Sequence, residues 1–527
     1  MRNLKRALSL GLTAAMISGL MVMGSSAASY ADVTSEDNVE AIEVLEAVGI
    51  MIGDENGNFN PDQNVTRNEM AVVMANLMEY NVASYKNTSP FTDVPSWAEP
   101  YVAACWTNGI TAGYSSTIYG GSDTVTTAQA ALMLMKALGY FQYSSDFGSD
   151  WQLATTRQGN AIDLFNGVDS GVTQAMTRND VAQLVLNTLE AGTVQASTDG
   201  SWSIGDVTIN NNVQYSYITS NQTYATAIDD ARSTSNNSDA QRSIVELGEQ
   251  LYMGDLKLDK DTTDVFGRPS RTWSYEGDEI GTYAKEADAS YTAKVAVDDI
   301  YADLDLGSSV DKKDVTVYED GAELKDKAVD ITKNDDDTEF GANGVLTEVF
   351  YDDDDDTVVI TMVNTYVGTI NRSVAAKGNK DAYVEIAVED VKPDGANGVE
   401  DFETAETFED DAYVLYTYSQ SADEVKSVAL AEEVTGTVTR AENSVKDEDV
   451  KKALTIGGTK YNASKMIAGE DIGNVSVDEE YTVYLDAYGY MIYVEQNDEI
   501  GDYALLVDTQ DKSNFSSNRA LLVFADG

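Results

Sequence analysis

What most constrains this chain is a segment that recurs three times near its start: TRNEMAVVMANLM from Thr66, TTAQAALMLMKAL from Thr126 and TRNDVAQLVLNTL from Thr177. Counted from each threonine, positions +4, +7 and +8 are apolar in every copy: Met70, Val73, Met74; Ala130, Met133, Leu134; Val181, Leu184, Val185. That register lays one apolar stripe along a helix. A single helix cannot hide such a stripe, so the three copies are expected to pack together as one helical core.

Each copy follows a shorter helical pattern that ends in glycine and a β-branched residue, at Gly49-Ile50, Gly109-Ile110 and Gly167-Val168. From that glycine to the motif threonine is 17 residues in the first two copies and 10 in the third, which has lost part of its loop. The first loop, GDENGNFNPDQNV from Gly53, is rich in turn residues; the second, GYSSTIYGGSDTV from Gly113, is looser. The DENGN stretch at Asp54 superficially resembles a calcium loop but lacks the downstream glutamate, so a plain turn is expected. Cys105 falls where the first copy has Leu45 and reads as a small buried hydrophobe.

The motif's threonine and the acid or amide three residues on form a capping box: Thr66 with Glu69, Thr126 with Gln129, and less well Thr177 with Asp180. Capping explains the helix starts but not the arginines. Residues 32–195 hold only five basic side chains, and two of them, Arg67 and Arg178, take the same motif position; the second copy has Thr127 there. In the first helical turn, free N–H groups and the helix dipole favour an anion, and a planar guanidinium can hold a carboxylate with paired hydrogen bonds. The residues themselves therefore predict an anionic ligand group.

With Phe91-Thr92-Asp93-Val94 and Trp97 opening the second copy, and with Gly53, Gly57, Phe59 and Pro61 in the first loop, the three segments resemble S-layer homology repeats. The resemblance covers about a third of the chain. It implies a three-repeat helical bundle with ligand grooves between repeats, and a secondary cell-wall polysaccharide, often pyruvylated, as the partner. Carried over by position, Arg67 and Arg178 would be carboxylate clamps, with Thr66, Glu69, Thr177 and Asp180 around them. Trp97 is a candidate groove wall or a core residue, and the groove at Thr127 is expected to be weak. The loop deletion before Thr177 puts the third groove in doubt, so the strongest grip is expected at Arg67.

The chain opens with Met1-Arg2-Asn3-Leu4-Lys5-Arg6, an apolar stretch and the small residues Ser25 to Ala31, the order of a secretory signal peptide. Cleavage is expected after Ala31, with Ala28 the second choice. No later stretch is apolar for long enough to span a bilayer, so no membrane insertion is expected after cleavage. The expected division is a signal peptide at 1–31, repeats at 32–82, 83–143 and 144–195, a polar linker or mixed region at 196–290, and β-rich domains at 291–430 and 431–527. The fold class expected is thus multidomain, an all-α repeat bundle followed by β-rich, mainly antiparallel domains.

In the β-rich part, Thr482 to Glu495 reads as a hairpin turning at Gly489, and LTEVFY and TVVITMV read as strands flanking Asp352 to Asp356. A helix is expected at SVKDEDVKKALTI from Ser444, and the closing ALLVFADG is either cut short or pairs back.

Residues 196–527 carry 26 basic and 70 acidic side chains, a surface that repels nucleic acid and anionic lipid. Solubility alone explains such a surface. Structural Ca²⁺ at Asp352 to Asp356 is a weaker reading than a solvated hairpin tip, and no other cofactor is expected. Histidine is absent, which removes His-dependent triads and His-ligated zinc. The leading expectation is a structural protein, not an enzyme, anchored to the cell wall at the cell surface and self-associating into an array. The alternatives are a wall-anchored polysaccharide-acting enzyme using two carboxylates and a surface adhesin.

Overall fold

In the computed structural model, the residues described are 30, 32–34, 37–197, 202–204, 207–209, 213–219, 244–304, 314–325, 338–352, 357–377, 380–404, 406–443, 451–469, 475–496, 504–510 and 519–524. The segment expected to be a signal peptide therefore lies outside them except for Tyr30.

Among the described residues six α-helices occupy the repeat region: α1 (Val39–Ala47), α2 (Arg67–Leu77), α3 (Glu99–Thr107), α4 (Thr127–Ala137), α5 (Trp151–Asn160) and α6 (Arg178–Glu190). The nine apolar positions read from the repeat are all buried, none more than 7% exposed. Gly49 and Gly109 end α1 and α3 with φ of 73° and 77°, the left-handed geometry that glycine adopts without a Cβ clash. There Ile50 and Ile110 donate back to the carbonyls of Leu45 and Cys105. Gly167 differs: α5 stops at Asn160, and a turn carries the chain from there to Gly167. Cys105 is fully buried, and burial raises its thiol to about 12, as expected of a small hydrophobe.

The segments just before the three motifs meet at one point. Val65 N–H donates to Met176 O (2.9 Å), Met176 N–H to Val125 O (3.0 Å), and Val125 N–H to Val65 O (2.9 Å). Three equivalent residues thus close a ring of backbone hydrogen bonds, each at least 98% buried, so none of these polar groups is left unpaired.

The helical core does not stop at α6. A short helix (Leu247–Tyr252) leads into a three-stranded antiparallel meander (Leu256–Thr263, Pro269–Tyr275, Asp278–Ala284). Its Leu256, Leu258, Trp273 and Tyr283 join the same apolar cluster as the repeat helices. Polar groups line this contact. Glu40 accepts from Trp273 Nε1 (2.5 Å) and pairs with Arg271 (2.6 Å), which also reaches Glu190 (3.2 Å). Glu43 accepts from the Tyr283 hydroxyl. Between α6 and the meander, the strands Val194–Ser197 and Gln214–Tyr217 pair antiparallel; the Ser- and Asn-rich stretch from Ser233 lies outside the described residues.

The rest of the described chain is β-rich. A five-stranded sheet contains the hairpin Val345–Asp352 and Thr357–Asn364, in register from Val345↔Asn364 to Asp352↔Thr357; residues 353–356 of the acidic tip are outside the description. One neighbour, Asp314–Glu319, pairs parallel to Thr357–Asn364, so the sheet is mixed. A second five-stranded sheet (366–430) is antiparallel, and a closed five-stranded barrel (432–496) follows. The hairpin expected at Thr482 to Glu495 forms, with Gly489 at φ 80°.

The helix expected from Ser444 is not what the described part shows: Lys451–Ile456 is a barrel strand between Glu432–Asn443 and Thr459–Ala468. Gly457-Gly458, both at positive φ, turn it into the next strand, and sheet pairing on both sides overrides the local helical pattern. The last described strand, Arg519–Phe524, pairs back onto Ala504–Gln510. Among the described residues no helix is long and apolar enough to cross a membrane.

Candidate functional site: the junctions between repeats

The motif at the head of each long helix is completed by the loop of a different repeat. Thr66 caps α2, its hydroxyl accepting from Glu69 N–H (3.3 Å) while Glu69 accepts from Thr66 N–H (2.7 Å), a full capping box. At Thr126 the box is looser: Gln129 accepts from Thr126 N–H at 3.3 Å, and the buried Thr126 hydroxyl makes no hydrogen bond. At Thr177 only the forward half forms, Asp180 N–H to the Thr177 hydroxyl (3.1 Å). The aspartate carboxylate, one methylene shorter than glutamate, instead accepts from Asp169 N–H and the Ser170 hydroxyl in the shortened loop.

The N–H groups that the sequence left free for an anion are occupied. Arg67 and Asn68 N–H donate to the carbonyls of Asp123 and Gly121; Thr127 and Ala128 N–H to Gln174 and Val172; Arg178 and Asn179 N–H to Gln63 and Pro61. The neighbouring loop satisfies the helix ends from outside, because each motif docks onto the segment that feeds the ring described above. The first two N–H groups of each helix are thus closed to an anion, and at the two arginine junctions the guanidinium is the group left to hold one.

The side chains at the arginine position repeat the pattern. Arg67 Nη2 donates to Ala112 O (2.8 Å), and its guanidinium lies 4.7 Å from the Tyr119 ring centroid and 4.8 Å from that of Tyr114. Arg178 donates through Nε to Phe59 O (2.7 Å) and through Nη2 to Ile52 O (2.9 Å), with its guanidinium 4.5 Å from the Phe59 ring centroid. Thr127 takes the same place with its hydroxyl on the carbonyls of Ser170 and Gly171 (3.2 and 3.0 Å). The first motif thus sits on the second loop, the second on the third, and the third on the first.

The two arginine junctions differ in access. Arg67 is 6% exposed, with Nε buried and unpartnered, beneath a Tyr114 that is 57% exposed. Arg178 is half-buried, burial lowers its pKa, and Ile52 beside it is exposed. Of the five N–H donors of a guanidinium, Arg67 uses one on a protein carbonyl and Arg178 uses two, so both retain donors for a further acceptor. Trp97, just before α3, is 55% exposed and so is not core; the rings that meet Arg67 are Tyr114 and Tyr119.

Tyr119 and Tyr114 at the candidate site were not singled out from the sequence, and Phe59 entered there only as a loop residue of the repeat pattern, with no role beside an arginine. A signal for two of them exists: Phe59 and Tyr119 each stand seven residues before their motif threonine, where the shortened loop has Ser170. The backbone acceptors Ile52 and Ala112 each stand fourteen before.

Two aspartates hold the loops in place. Asp32 accepts from the N–H groups of Phe59 (2.8 Å) and Asn60 (2.6 Å), and Asp93 from those of Tyr119 and Gly120 (both 2.8 Å). Asp54, on the surface of the first loop, accepts from Asn58 and Asn56 N–H, and these bonds with the Asn60 side chain lower its carboxyl to about 2. That is the turn expected at this position.

The family model described as "S-layer homology domain" matches residues 29–71 and 90–131. The "Surface-layer 125 kDa protein" of Lysinibacillus sphaericus is 33% identical over 129 residues, 24% of this chain and 11% of that protein. The "Middle cell wall protein" of Brevibacillus brevis is 26% identical over 157 residues, 29% of this chain and 14% of that protein. The "Surface layer protein" of Brevibacillus choshinensis is 27% identical over 135 residues, 25% of this chain and 12% of that protein. The aligned part is thus a small fraction of each relative's length.

Proposed function

We propose, for what is an S-layer homology domain protein of the surface-layer type, that residues 30–195 hold it non-covalently to an anionic polysaccharide of the cell wall, with the acidic β-rich part facing outward. It is a cell-surface protein of the wall. The observation that carries the ligand reading is the pair of matched junctions in which Arg67 and Arg178 lie on loop aromatics with N–H donors to spare. A carboxylate such as a pyruvate ketal suits a guanidinium whose position is already fixed by carbonyls and a ring, because little side-chain freedom is then lost on binding. The aromatic faces and the exposed Ile52 and Tyr114 offer apolar surface to a sugar ring.

The third repeat completes the triangular bundle in this reading, and its junction with Thr127 is a structural contact without a ligand. The outer part would assemble into an array, with its acidic faces bridged by divalent cations. Relatives bearing surface-layer and cell-wall names support a structural role over catalysis.

The test is co-sedimentation of the full chain with purified walls, competed by the free wall polysaccharide. Retention that the soluble polymer displaces supports the reading; retention indifferent to it points to another wall component. For the array, electron microscopy with and without Ca²⁺ should show ordered sheets only with the cation, and a chain that stays monomeric in both would count against assembly.

A further inference from the structure

Tyr30 lies beyond the expected start of the first repeat, yet it is a core residue. It is 6% exposed, and its hydroxyl accepts from Gly53 N–H (2.7 Å). Its ring stands 5.6 Å from that of Phe59, the ring on which Arg178 rests. Phe91 does the same work one repeat later: it is 7% exposed, and its ring is 5.3 Å from that of Tyr119, on which Arg67 rests.

The equivalence extends to the backbone. A Cβ on Gly53 would meet the Tyr30 ring at 2.1 Å, and one on Gly113 would meet the Phe91 ring at 2.3 Å, so each ring packs against a loop glycine that has no room for a side chain. Two residues on, Asp32 and Asp93 each grip two N–H groups at equivalent places in their own loops, Phe59 and Asn60 for the first and Tyr119 and Gly120 for the second. Tyr30 to Val33 is thus the counterpart of Phe91 to Val94, and the S-layer homology match begins at residue 29, just ahead of it.

Resting on the reading of an exported wall protein, we propose that the leader is removed at the Ala28–Ser29 bond, leaving Tyr30 and Asp32 in the mature chain. Hydrolysis there consumes one water and leaves a carboxylate on Ala28 and a new amine on Ser29. Small residues stand at the positions that a leader peptidase reads, Ala28 and Ser26, and both lie outside the described residues. A cut after Ala31 satisfies the same small-residue rule, but it would delete the ring beneath Phe59 and put the new ammonium on the aspartate that grips the loop. Processing and the seating of Arg178 are thereby linked.

The test is mass-spectrometric identification of the N-terminal peptide of the wall-bound chain after expression of the full-length precursor in a secreting host. A peptide beginning at Ser29 is expected. One beginning at Asp32, or at any other internal residue, overturns the proposal while leaving export intact; one beginning at Met1 removes the export reading and the proposal together.

A second arm compares purified chains starting at Ser29 and at Asp32. The shorter should melt lower by about 5–10 °C, Tyr30→Ala should behave like it, and Tyr30→Phe, which restores the residue used at position 91, should recover most of the difference. Equal melting of the two chains would refute the argument from Tyr30.

Discussion

Arg178 and Phe59 are 119 residues apart, yet the arginine Nε donates to the Phe59 carbonyl at 2.7 Å and its guanidinium lies 4.5 Å from the same residue's ring centroid. The third motif therefore reads the first loop, and the ring of repeats closes. This changes how the two irregularities of the sequence are understood. The missing arginine at Thr127 and the shortened loop before Thr177 belong to one junction, where a small hydroxyl meets Ser170 and Gly171. Two junctions are complete and one is reduced on both sides.

Thr127→Arg accordingly should not turn this junction into a match of the two arginine junctions. Thr127 is 2% exposed against a loop too short to supply the ring and carbonyls that receive an arginine elsewhere. Overpacking this contact should cost about 1–3 kcal/mol, read as a lower melting temperature, with no gain in wall retention.

Stability should depend on pH through Glu43. Burial, followed by the neighbouring carboxylates Glu46 and Glu40 and against the Tyr283 hydroxyl, raises its carboxyl from 4.5 to about 7. The folded state thus holds this proton more tightly than the unfolded chain, so the contribution is full below about pH 4.5 and lost as pH rises through about 7. The loss is on the order of 3 kcal/mol. Glu43→Gln should flatten that part of the melting-temperature profile; a profile unchanged by the substitution would place the dependence elsewhere.

A chain ending at residue 195 should be less stable than one ending at 285. The shorter chain lacks Leu256, Leu258, Trp273 and Tyr283, all within the repeat core, and leaves Glu40 and Glu190 without Arg271. Urea unfolding of the two should show a clearly higher midpoint for the longer chain.

Cys105 should be inert in the folded protein. With no exposed surface and a thiol held near 12, it should react with a thiol reagent only at the rate of unfolding, and promptly in denaturant.

The helices, their buried faces and the caps at Thr66 and Thr177 were legible in the sequence because a period of 3.6 and a local cap are short-range signals, whereas at Thr126 the expected full box lacks the hydroxyl's bond. The paired strands Val345–Asp352 and Thr357–Asn364 were legible too, since both are runs rich in β-branched and apolar residues on either side of an acidic stretch. What could not be read was which loop each motif meets: no local pattern says that Arg67 lies on Tyr119 instead of Phe59. For the same reason the first repeat appeared to own both halves of a candidate site, when its loop receives Arg178 and its arginine lies on the second loop. The meander's place in the helical core escaped notice because Trp273 and Tyr283 are isolated apolar residues in a polar stretch, and their partners are more than two hundred residues away. Lys451–Ile456 was misread as helix because its charged and apolar residues suit either state, and only its barrel neighbours decide.

The most direct test of wall anchoring is quantitative retention on purified walls of the intact chain and of Arg67→Ala, Arg178→Ala, the double variant and the paired Arg→Lys variant, with walls before and after removal of pyruvate groups. Circular dichroism and melting of each protein separate loss of binding from loss of fold. The prediction is a fall of about tenfold or more for the double variant, incomplete rescue by lysine, and a matching fall for the intact chain on depyruvylated walls. Undiminished retention of a folded double variant would contradict the assignment of the arginines and, with it, this account of how the repeats hold the wall.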